Sequence, residues 1–84
     1  MDKKTMLKEF EKYLEKEYNE AVSIVERPPW WCDTRKELLE MLSNTVQRCL
    51  GATQFIECLG IAFEECNELY ENYRIKIFEL MDKI

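Results

Sequence analysis

Histidine is absent from these 84 residues, and glycine and proline occur only twice each. Without an imidazole the chain lacks the commonest general base, which removes Ser-His-Asp chemistry and leaves no base to activate a cysteine. Gly51 and Gly60 stand alone, so there is no glycine-rich turn to cradle a phosphate. No apolar run approaches the roughly 18 to 20 residues of a spanning helix, and Met1-Asp2-Lys3-Lys4 leads into an amphipathic segment, unlike a signal peptide. The four cysteines, Cys32, Cys49, Cys58 and Cys66, include no CxxC pair and no zinc-finger spacing. Free thiols in a reducing cytoplasm are expected, with no catalytic, cofactor-binding or metal-ligating residue.

What is present is apolar and helical in pattern. With 46% hydrophobic residues and so little turn material, residues 1–84 are expected to form one domain of long helices. The formal charge is −5, and six carboxylates face three basic residues between Gly60 and Ile84. Nucleic acid and anionic membrane surfaces are therefore not expected as partners.

Three amphipathic segments follow one another. From Lys3 to Val25 a stripe of Leu7, Phe10, Leu14, Tyr18, Ala21, Val22 and Val25 recurs at three- and four-residue steps, opposite Lys8, Glu9, Lys12, Glu15, Lys16 and Glu20. Arg27-Pro28-Pro29 ends this helix, because proline lacks the amide donor and disfavours helical geometry in the residue before it. Thr34-Arg35-Lys36-Glu37 fits a capping box, with Asp33 as a competing cap. Gly51 and Gly60 both qualify as the end of the second helix. The stripe Leu38, Leu42, Val46, Cys49, Thr53, Ile56, Leu59 crosses Gly51 without a phase break, so the helix is read from Thr34 to Leu59. Gly60 followed by Ile61 resembles a Schellman ending. Stopping at Gly51 instead would leave a short second helix and a third of about 30 residues with part of its length unpartnered. The third helix, from near Phe63, carries Phe63, Cys66, Tyr70, Tyr73, Ile77, Leu80 and Ile84. An all-α, three-helix antiparallel bundle is the expected fold.

Two carboxylate clusters bear on chemistry. Glu64, Glu65 and Glu68 read EExxE, Glu79 and Asp82 read ExxD, and together they resemble the Mg²⁺-holding motif of all-α nucleotide pyrophosphohydrolases of the MazG type. The resemblance covers these short segments alone and implies a Mg-dependent nucleotide hydrolase. In that family the two halves face each other from different helices. Here one unbroken helical pattern would set Glu68 and Glu79 about 16 Å apart, and acids also suit a helix N-terminus.

Four residues are singled out for partner binding. Trp30 and Trp31 follow a stiff diproline and suit either a binding hot spot or, the preferred reading for one or both, a plug over the open end of the core. Ile75 and Phe78 lie off the third stripe, among Glu68, Glu71 and Asp82. They are scattered surface apolars, or Phe78 widens the buried face, or they meet another chain. The function best matched is a small helical protein-protein interaction module that binds another protein or itself. The hydrolase is the alternative, and an acidic decoy for a basic site on a nucleic-acid-binding protein is a third possibility.

Overall fold

The computed structural model describes residues 2–31, 34–60 and 62–84. They form three helices, α1 (Lys3–Glu26), α2 (Arg35–Leu59) and α3 (Phe63–Asp82), each packed against both others in a rod 44 × 19 × 16 Å. Each boundary has a local cause. The Asp2 carboxylate accepts the Thr5 amide at 2.7 Å and opens α1. Pro28 and Pro29 follow its last turn, where the Arg27 amide bonds back to Ser23 O at 2.8 Å. At α2 the Glu37 amide donates to Thr34 Oγ1 at 3.2 Å, so Thr34 is a cap, whereas the competing Asp33 lies outside the described residues. Gly60 adopts φ +69°, and its amide bonds to Ile56 O and Glu57 O, both at 3.1 Å. That left-handed conformation is where glycine ends a helix most cheaply. The expected packing of Ile61 on the last turn lies outside the described residues.

The helix through Gly51 is continuous, as its stripe requires. Ala62, at φ +54°, is the surprise: it precedes α3 in the left-handed region without glycine's freedom and without a side-chain cap. Glu64 and Glu65 in the first turn of α3 complement the positive end of that helix dipole.

Chain direction can be read from the core. One cluster joins Phe10, Leu14, Cys49, Ile56, Cys66 and Tyr70, and the next joins Ala21, Leu42, Val46, Ile77 and Leu80. Between the two, numbers rise along α1 and α3 and fall along α2, so successive helices are antiparallel. Each large aliphatic side chain so buried contributes roughly 1.5 to 3 kcal/mol.

Sequence periodicity misplaced one core residue. Leu59 was expected on the buried stripe of α2 but is 48% exposed. Each three-residue step falls about 60° short of a turn, so the two steps from Thr53 through Ile56 carry Leu59 roughly 120° round the helix.

Candidate protein-binding surface

The tryptophans do not plug the bundle. Trp30 is 91% exposed and Trp31 is also exposed. At the end of the rod nearest them it is Val22, Val25, Met81 and Ile84 that pack against the core cluster of Ala21, Leu42, Val46, Ile77 and Leu80. Pro28 and Pro29 lead the chain on from the end of α1.

Ile75 and Phe78 point away from the core of α3, at 51% and 41% exposure. Phe78 belongs to neither core cluster, and the Arg74 guanidinium lies 5.4 Å from its ring centroid. Arg74 is held in turn by Glu71 Oε2, at 3.0 Å from Nε and 2.6 Å from Nη2. Since α3 runs toward the end that bears the Trp30-Trp31 loop, all four residues occupy the same half of the rod.

Around these apolar side chains the outward ridge of α3 is acidic, with Lys76 and Lys83 exposed to one side of it. Glu64, Glu68, Glu79 and Asp82 are exposed and form no ion pair among the described residues. Glu65 differs, because a hydrogen bond from Lys3 holds its carboxyl below the usual carboxylate range. The two motif clusters, Glu64-Glu65-Glu68 and Glu79-Asp82, lie along one uninterrupted helix. A groove against α1 brings Glu11 beside Glu65 and Glu68. Among the described residues, no three acidic or cysteine side chains converge into a group able to hold a metal ion. No helix among them is long and apolar enough to cross a membrane.

Two features were not found from sequence. Glu17 sits within the α1 stripe, three residues after Leu14 and four before Ala21, and is buried. Its Oε2 accepts Arg48 Nε at 3.1 Å and Nη2 at 3.0 Å. A charged residue in register with an apolar stripe was the available signal. Phe55, 64% exposed on α2, is the other.

The described cysteines are free: Cys49 and Cys66 are buried and Cys58 is exposed. Burial pushes the Cys49 thiol up to about 11 and raises Cys66. In a Cys32→Ser background at pH 8, one thiol should react promptly with a disulfide reagent and two more only after denaturation. Two prompt thiols would mean that the core is open.

The architecture places the chain among all-α three-helix bundles. No protein-family model matches it, and comparison with curated proteins and with solved structures finds no similar protein.

Proposed function

We propose that this protein is an interaction module that binds a basic amphipathic helix of another protein along the outward ridge of α3, with Trp30 and Trp31 extending the contact. The observation that carries the reading is the placement of Ile75 and Phe78, both exposed, within a ridge of exposed Glu64, Glu68, Glu79 and Asp82. Apolar anchors on a ridge whose free charges are acidic, with the Arg74 beside Phe78 already paired to Glu71, suit a partner with apolar residues at helical spacing and lysine or arginine beside them. Exposed tryptophan faces are also the best aromatic acceptors for such cations. A second copy is a poor occupant, because a two-fold contact on this ridge would set its acids against themselves.

The test is a titration, followed by tryptophan fluorescence, with an 18-residue leucine/lysine amphipathic peptide and its leucine/glutamate counterpart. The lysine peptide should bind, weaken as salt rises from 50 to 300 mM, and lose at least about tenfold in affinity against Ile75→Ser/Phe78→Ser, a fold-change of about 1.4 kcal/mol. That double variant leaves every charge in place. Equal binding by both peptides, or binding unmoved by the double variant, would contradict the reading.

A further inference from the structure

The solvent faces of the three helices are not alike. That of α1 carries Lys8, Glu9, Lys12, Glu15, Lys16 and Glu20, and that of α3 is acidic. On α2, the outward positions Asn44, Gln47, Gly51, Gln54, Phe55 and Cys58 are all exposed and none is charged. Between Ser43 and Leu59 the only charged residues are Arg48 and Glu57. Arg48, about 60° round the helix from Gly51, stays half exposed on the edge of this face with its charge paired to Glu17, and Glu57 lies about 120° round on the other side. In a chain with 35% charged residues, this neutral strip of about 22 Å is unlike the rest of the surface.

Two further observations make the strip look like a contact face. Phe55 and Leu59 are the large apolar side chains that α2 exposes, and both lie on or beside it. Gly51 sits in the middle of a helix, where glycine is a liability, and a Cβ added there would meet nothing within 4 Å. Nothing inside the molecule requires a glycine at that position. A backbone approaching from outside would.

We infer that the outward face of α2 is a self-association surface, on which two copies pack α2 against α2 in antiparallel fashion across a two-fold axis near residue 53. That axis sets each Gly51 opposite Phe55 of the second copy, and each Gln47 opposite its Leu59. The bare backbone of one helix becomes the recess for the aromatic ring of the other. A second copy fits because of charge: with net charge −5, two chains repel through most of their surface, and this face lets them meet with the acidic α3 ridges turned outward. The strip, about 22 Å by one helix width of about 10 Å, offers roughly 220 Å² per copy, well under the roughly 800 Å² per partner of a standard interface, so only a weak, reversible dimer is expected, populated toward about 1 mM. This assignment is independent of the α3 reading, since it uses a different helix face.

Sedimentation equilibrium from about 10 µM to 1 mM should show the wild type shifting from monomer toward dimer. Phe55→Ser should weaken the dimer at least about tenfold with every charge left in place, so altered repulsion cannot account for the loss. Gly51→Gln separates an interface from a folding role. It should raise the melting temperature of the dilute monomer by a few degrees while also weakening the dimer at least about tenfold. Phe78→Glu should leave association unchanged. A wild type that stays monomeric at 1 mM overturns the inference and leaves the strip to a foreign helix. So does a dimer that survives both α2 changes, or one that only Phe78→Glu abolishes.

Discussion

Leu14→Ala is expected to cost about 2 to 5 kcal/mol, enough to unfold a large share of the molecules near body temperature. Leu14 has no solvent exposure and belongs to the cluster that joins Phe10 of α1 to Cys49 and Ile56 of α2 and Cys66 and Tyr70 of α3. Truncation removes three carbons from the point where all three helices meet, and long helices cannot collapse locally to refill the space. A domain of this length has roughly 4 to 12 kcal/mol of stability in total. The melting temperature should therefore fall by about 10 °C or more. Urea denaturation followed by helical circular dichroism measures it; a loss below about 1 kcal/mol would mean that the helices do not interlock here.

Arg48→Met is expected to cost about 1.5 to 3 kcal/mol, and Glu17→Leu in the same chain should restore most of it. The Glu17 side chain is 10% exposed, and the guanidinium also donates from Nη2 to Thr45 Oγ1 at 3.1 Å. Thr45 Oγ1 donates to Met41 O at 3.2 Å, and the Tyr13 hydroxyl to Arg48 O at 3.4 Å, so the pair anchors a polar network between α1 and α2. The Arg48 side chain is half exposed, so solvent screens part of the attraction, and the expected cost is set below the 3 to 5 kcal/mol typical of fully buried pairs. Without Arg48 the carboxylate is left in a site that excludes water and offers no cation. Replacing both groups by apolar ones removes that penalty. A double-mutant cycle in which the two changes simply add would contradict a direct coupling.

The end of α1 and both ends of α2 were legible in the sequence because they rest on local chemistry: Pro28-Pro29, Thr34 with Glu37, and Gly60 act within a few residues of themselves. Continuity through Gly51 was legible too, since a stripe that keeps phase on both sides of a glycine needs one helix. The Trp30-Trp31 loop was not. Periodicity assigns faces to helices and is silent about a connector, and the packing of Val25, Met81 and Ile84 against the core near that end arises only in the fold. Glu17 escaped notice because an acid on an apolar stripe has no meaning until its partner, 31 residues on, is placed beside it. The neutral face of α2 needed the opposite information. Its positions read as ordinary polar residues until the other two helices show how charged a solvent face in this chain normally is.

The central claim is that recognition and self-association occupy separate faces, and amide chemical-shift mapping of the ¹⁵N-labelled protein tests it most directly. Raising the protein concentration from about 50 µM to 1 mM should move amides between residues 43 and 59 of α2, while the leucine/lysine peptide should move those of residues 68–82 and the tryptophan indoles. If both perturbations fell on the same residues, or concentration moved only α3, the division of the surface drawn here would be wrong.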